Sequence, residues 1–266
     1  CGALFCNTTG PDNIAIGYQS QYNTTTGCQN VSMGWQSMVA NTTGDGNTAL
    51  GFKALYTNNG STPDFNVAVG RQALYSTTTG YRNVGIGLNA MYTTTTGYAN
   101  VGIGPNVLYS NTTGYENVAI GQCALYANIS GVENTAIGCG ALRSSQTATA
   151  NTAVGRAALG KNTSGLRNVA LGRNAMCANT TASDNVAIGF QALCANTTGI
   201  DNVAVGRNAL FASTTGTGGN VAVGMCTAVG VTTGCFNTII GKNAGTSLTT
   251  PEGNTFIGKA AGCNAV

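Results

Sequence analysis

Small apolar and polar residues recur along this chain on one fixed period. The stretch NVALGRNAMCANTTASD at 168–184 is followed by NVAIGFQALCANTTGID at 185–201 and NVAVGRNALFASTTGTGG at 202–219. An Asn with a Gly four residues later stands at Asn13, Asn30, Asn47, Asn66, Asn83, Asn100, Asn117, Asn134, Asn151, Asn168, Asn185, Asn202, Asn220, Asn237 and Asn254. The step is 17 except for 19 after Asn47 and 18 after Asn202, with the insertions in the polar half at Thr57–Phe65 and Thr217–Gly219. Residues 1–12 read as the second half of an earlier unit and 254–266 as most of a last one. The expectation is one array of about fifteen units, without linker or second domain. It opens mid-unit at Cys1 without Met or signal peptide, which reads as an excerpt or processed piece of a longer protein.

Numbering the Asn as position 0, Val or Thr fills position 1, Ala position 2, Ile, Val or Leu position 3 and Gly position 4. Ala and Leu follow at positions 7 and 8, and Thr-Thr-Gly at 12–14. Val, Ile and Thr favour an extended chain, and frequent Gly disfavours helix. The pattern predicts a five-residue strand, a short turn, a second short strand at Ala-Leu and a Thr-Thr-Gly loop. That is one 17-residue coil of an all-β, parallel β-solenoid, with strands stacked about 4.8 Å apart. Stacking puts each Asn on the next, so their amides are expected to form a hydrogen-bonded ladder along the axis. Gly at position 4 marks positive φ or a close backbone approach.

Successive strand residues face opposite ways. One face carries positions 1 and 3, the other the Ala at position 2, and both are uncharged. A row of Ala suggests tight contact with another chain, and a narrow coil has little interior of its own. The expectation is a parallel homo-oligomer, a homotrimer above all. The alternative is that the Ala row is the narrow interior, with Val and Ile partly exposed.

Charge adds to that picture only by its placement. Charged residues are 7% of the chain, and the net charge is +3. The acids Asp12, Asp45, Asp64, Glu116, Glu133, Asp184, Asp201 and Glu252 all stand one or two residues before an Asn. The bases Arg71, Arg156, Arg173, Arg207, Lys242 and Lys259 follow the position-4 Gly. In a closed trimer one chain's basic corner could meet its neighbour's acidic corner. Otherwise both corners are solvated and their pairs are weak. Eleven spread Lys and Arg make no nucleic-acid patch. No apolar run is long enough to span a membrane as a helix.

The units Asn134-Thr-Ala-Ile-Gly138 and Asn117-Val-Ala-Ile-Gly121 carry a resemblance that extends over the whole chain. It is similar to the head of the YadA-like trimeric autotransporter adhesins. It also resembles the N-T-A-I-G-x-x-A-L-x-x-N-T-T-G arrays of phage and giant-virus fibre proteins. The resemblance implies a left-handed parallel β-roll, three chains per fibre and a role in attachment. The adhesin-head repeat is shorter and carries Ser where this chain has mostly Ala, so the fibre arrays are the closer match.

Three further sets of residues are candidates for chemistry or recognition. Cys177 and Cys194 share a position in adjacent coils and lie within reach of a coil-to-coil disulfide. The other cysteines, Cys1 among them, read as small apolar residues. Tyr56, Tyr75, Tyr92, Tyr109 and Tyr126 share position 9, and Tyr81, Tyr98 and Tyr115 share position 15. Such rows either stack sugars of a cell-surface glycan or pack on each other. Asn7, Asn41, Asn111, Asn128, Asn162, Asn179 and Asn196 each begin an N-x-S/T triplet at one loop position. They are either glycosylation sites or turn residues.

With no histidine and the acids strung along one edge, the inventory speaks against an enzyme, a metal site or a cofactor. Three functions stay open: a structural segment of an extracellular, cell-surface or virion fibre or end-to-end filament, glycan binding by the shaft, and ice binding by Thr rows.

Overall fold

The structure is a computed structural model describing residues 2–60, 64–215 and 218–263. Cys1 and the inserted residues Ser61, Thr62, Pro63 and Thr217 lie outside the described residues. The chain divides into two compact units, Cys1–Glu133 and Asn134–Val266. The first carries strands β1 (Ile14–Ile16), β2 (Val31–Met33), β3 (Thr48–Leu50), β4 (Val67–Val69), β5 (Val84–Ile86), β6 (Val101–Ile103) and β7 (Val118–Ile120). The second carries β8 (Thr135–Ile137), β9 (Thr152–Val154), β10 (Val169–Leu171), β11 (Val186–Ile188), β12 (Val203–Val205), β13 (Val221–Val223), β14 (Thr238–Ile240) and β15 (Thr255–Ile257). Within each unit every strand pairs in parallel with its sequence neighbours, position on position, as in Val169↔Val186 and Leu171↔Ile188. Each unit is therefore a β-solenoid of the repeating coil. Neither insertion shifts the strand register, since Thr48 still pairs with Val67 and Val203 with Val221.

Strands are three residues long rather than five, and the expected second strand at Ala-Leu does not form. There the backbone alternates in handedness. Positions 6 and 8 have positive φ although most are not glycine, as at Ala157 (56°) and Leu159 (50°). A left-handed residue with a side chain costs about 1–2 kcal/mol. The alternation is held by hydrogen bonds to opposite neighbours. Ala157 N donates to Cys139 O in the preceding coil, and Leu159 N to Ala175 O in the following one, both at 3.0 Å. An ordinary strand stacked in parallel would make such bonds too, but it could not bend the chain back within 17 residues.

The Ala row is the interior. Ala136, Ala153, Ala170, Ala187 and Ala204 are fully buried, as are the Ala and Leu of positions 7 and 8. This corrects the expectation that position 2 meets another chain. In these coils the interior holds little more than a methyl group at position 2; Ile239 is buried there where Gly245 stands in place of the usual Leu. Where glycine replaces Ala at Gly102, an added Cβ would already sit 3.0 Å from Met91 Cγ. Positions 1 and 3 face outward instead, with Ile137 38% and Ile188 37% exposed.

At position 4 glycine is required twice over. Gly172 has φ +135°, and a Cβ there would lie 2.5 Å from Gly189 O in the next coil. The same carbonyl approach repeats at Gly17, Gly87, Gly155 and Gly206.

Candidate functional site

From Asn30 to Asn237 the ladder asparagines are buried, and their amides are used as donors and acceptors, as at Asn168. Asn168 Nδ2 donates to Ala182 O of its own coil at 2.8 Å and to Asn151 Oδ1 at 3.1 Å. Its Oδ1 accepts from Asn185 N at 3.1 Å and Asn185 Nδ2 at 3.2 Å. The expected amide ladder is present, but the backbone N–H shares it and the shortest bond closes the loop within the coil. Asp64, in the first insertion, substitutes for such a loop carbonyl. Its Oδ2 accepts from Asn58 Nδ2 at 2.9 Å and Asn47 Nδ2 at 3.2 Å. Burial pushes this carboxyl above its ordinary range, against the lowering by its two amide donors.

The N-x-S/T asparagines form a second interior row. Asn41, Asn111, Asn128, Asn162, Asn179 and Asn196 are fully buried. Asn162 Nδ2 donates to Gly165 O at 3.0 Å, and its Oδ1 accepts from Gly165 N at 3.1 Å. Asn179 Nδ2 donates to Asn162 Oδ1 at 2.8 Å. A glycan on Nδ2 has no room in the folded coil, which corrects the reading of these six as a glycan ridge. Asn7 alone of the set is exposed. The triplet is turn chemistry: a short amide bonded across its own loop.

Both tyrosine rows stack. Ring centroids from Tyr56 through Tyr75, Tyr92, Tyr109 and Tyr126 are 5.0, 5.0, 5.2 and 5.3 Å apart. Tyr81, Tyr98 and Tyr115 stack at 5.0 and 4.7 Å. Burial and then the neighbouring phenols raise the pKa of Tyr109. A sugar needs an open ring face, and the inner rings of each row have both faces covered by neighbours. Tyr18, Trp35 and Phe52, which sequence reasoning passed over, form a third stack at 6.0 and 5.0 Å. The Lys53 ammonium lies 5.2 Å from Trp35 and 5.0 Å from Tyr56. Their shared position 5 in three consecutive coils was the available signal, hidden by the change of residue type.

Cys177 and Cys194 come together as free thiols, with sulfurs 2.7 Å apart. The hydrogen bond from Cys194 lowers the Cys177 thiol to about 7, helped by the Lys161 charge and opposed by burial. The same bond holds the Cys194 proton on, so that thiol is raised. The pair is placed for a disulfide.

The two charged edges do not pair across a coil. Among the described residues the ion pair is Arg167 with Asp184, both at the position before the Asn, with Nε–Oδ1 2.6 Å and Nη2–Oδ2 2.8 Å. Among the described residues no three His, Cys, Asp or Glu come together as metal ligands, and no helix is long and apolar enough to cross a membrane. Set against family models, curated proteins and solved structures, the chain has no match in any of the three. The class is therefore given by fold alone, a parallel β-solenoid.

Proposed function

We propose that the chain is a structural segment of an extracellular, cell-surface or virion fibre, a left-handed β-roll assembled as a parallel homotrimer and serving attachment. The observation that carries this reading is the outward strand face. In coil after coil it presents Val or Thr beside Ile, Val or Leu, flat and half-exposed: Ile103 37%, Ile120 36%, Ile137 38%, Ile188 37%, Ile240 36%. A contiguous apolar surface of this kind is uncommon on a solitary soluble chain and marks an interface. Two further copies would cover it, and the identical register of every coil would let three chains run in parallel. Inter-coil hydrogen bonds lie along the axis, so a pull on the fibre is shared among all bonds of one coil interface.

End-to-end filaments are the second arrangement of the same reading. Glycan binding by the tyrosine rows is less favoured because ring faces are occupied. Ice binding needs a regular Thr array. On the outward face Thr stands only at Thr48, Thr135, Thr152, Thr238 and Thr255 of the position-1 row, among valines.

The test is the native mass of the particle in solution, with and without reductant. Three times the 26.7 kDa chain mass, insensitive to reductant and lowered by Ile137→Glu with Ile188→Glu, supports the trimer. A monomer at micromolar concentration overturns it, and open-ended polymers replace it with the filament.

A further inference from the structure

The geometry points to a binding site for a linear anionic polysaccharide, bearing sulfate or carboxylate groups, in a basic cleft of the second unit at Arg143, Arg156 and Lys161. This inference stands whether the chain is a monomer or a fibre.

The cleft has a local cause. Gly160 stands at position 9, where adjacent coils place Arg143 and Cys177. The missing side chain opens a surface cavity of about 470 Å³ lined by Arg143, Arg156, Lys161, Gly160, Cys139 and Cys177. Its three charged side chains are basic and exposed. The position-5 row continues from it along the same edge through Arg173, Arg207, Lys242 and Lys259, all exposed. Arg173, Arg207 and Lys242 are each two coils apart, about 9.6 Å at one strand spacing per coil. That is the order of length of a disaccharide. Phe190, 40% exposed, stands between Arg173 and Arg207 in this row. The Arg173 guanidinium lies 5.9 Å from its ring. Arg173 takes one face of the ring; among the described residues no aromatic ring stacks on Phe190, unlike the tyrosines, so a pyranose can lie against the other face.

Charge selects the class of partner. The second unit holds eight Lys and Arg against three acids, Asp184, Asp201 and Glu252, whereas the first holds three against five. A second copy would offer this row the acidic edge. There Asp184 is already bound to Arg167, and two acids are left for the whole basic row. A nucleic acid carries a charge about every 1.7 Å, far denser than this row, and would leave most phosphates unmatched. A polysaccharide with an anionic group every one or two sugars fits the spacing.

The experiment measures binding of fluorescent heparin oligosaccharide to the full chain as a function of salt, with neutral dextran and duplex DNA of similar length as comparisons. Arg143→Gln, Arg156→Gln and Lys161→Gln together should weaken heparin binding about tenfold, at surface-pair strengths, and flatten its salt dependence. Arg71→Gln with Arg82→Gln in the first unit should change it less than about twofold on the same basis. The triple Lys-for-Arg and Arg-for-Lys exchange should retain binding. Equal loss from both Gln sets, no binding by the parent chain, or duplex DNA bound as tightly as heparin would each overturn the site. So would a fall in particle mass in the cleft variant, since that assigns the row to a second copy.

Discussion

Replacing Asn168 by Ala tests the interior ladder directly. The side chain satisfies Ala182 O and Asn151 Oδ1 as donor and Asn185 N and Nδ2 as acceptor, at 2.8–3.2 Å. Asn151 Oδ1 keeps a partner, because Asn168 N still donates to it at 2.9 Å. Ala182 O keeps the Asn179 Nδ2 donor at 3.1 Å, and Asn185 N keeps no acceptor. A buried polar group left unpaired costs about 1–3 kcal/mol, so this one, with the small cavity, predicts a loss of roughly 2–4 kcal/mol. Because coils contact only their neighbours, the loss is local. It is best read by amide exchange at Asn185 and Val186 together with thermal unfolding. Asn168→Asp separates the roles. It keeps an acceptor for Asn185 N but turns a carboxylate oxygen toward the Ala182 carbonyl. Burial and the facing carbonyl oxygen are expected to raise the pKa of that carboxyl, so the protonated form is the one the coil tolerates. The variant should be weak at neutral pH and gain stability as pH falls through that raised pKa. Loss under about 1 kcal/mol in the Ala variant, with unchanged exchange at Asn185, would refute the claim that these bonds hold the coil.

Other outcomes follow from the same geometry. Gly172→Ala places a methyl 2.5 Å from Gly189 O and should disrupt local exchange protection. Gly140→Ala meets nothing within 4 Å and should cost only the about 1–2 kcal/mol of its left-handed backbone. Thr94 Oγ1 is buried without a partner; Thr94→Asn, by adopting the loop bonds of Asn162, should raise stability by about 1 kcal/mol on thermal unfolding. Cys177, lowered to about 7, should be alkylated by iodoacetamide faster than Cys139 at pH 7, with the advantage narrowing as pH rises through the ordinary thiol range; equal rates on peptide mapping would contradict the pairing.

Period, register and the identity of the ladder residues were legible because parallel stacking puts one sequence position on itself in every coil. Asn151, Asn168 and Asn185 had to coincide in space once their spacing was constant. The inward face was not legible by alternation alone. The period of two separates Ala170 from Val169 and Leu171 but does not say which side closes. In this coil size decides: the interior opposite Leu159 and Met176 leaves room for a methyl, and the larger β-branched residues turn out. The bend at positions 6 and 8 was hidden for a different reason. Leu is locally disfavoured at φ near +50°, as at Leu159 and Leu193, and its place is secured by bonds to neighbouring coils that no window of one unit contains. The triplet at Asn162 misled because one short amide serves both as glycan acceptor and as loop brace, and only burial distinguishes them.

These two placements bear on function together. A coil that consumes its asparagines and small residues internally leaves three kinds of surface for partners: the apolar strand face, the aromatic edges and the charged corners. In the first unit the aromatic rings cover one another, so that edge stiffens the coil and offers little face for stacking. In the second unit Gly160 interrupts the corresponding row, and the edge becomes a basic cleft with Phe190 further along. The strand face is common to both units because positions 1 and 3 barely vary. The proposed self-association through the strand face and the proposed recognition through the edge that differs use separate residues. Ile137→Glu with Ile188→Glu should therefore lower particle mass while leaving heparin binding per chain in place, and the cleft variant should do the reverse.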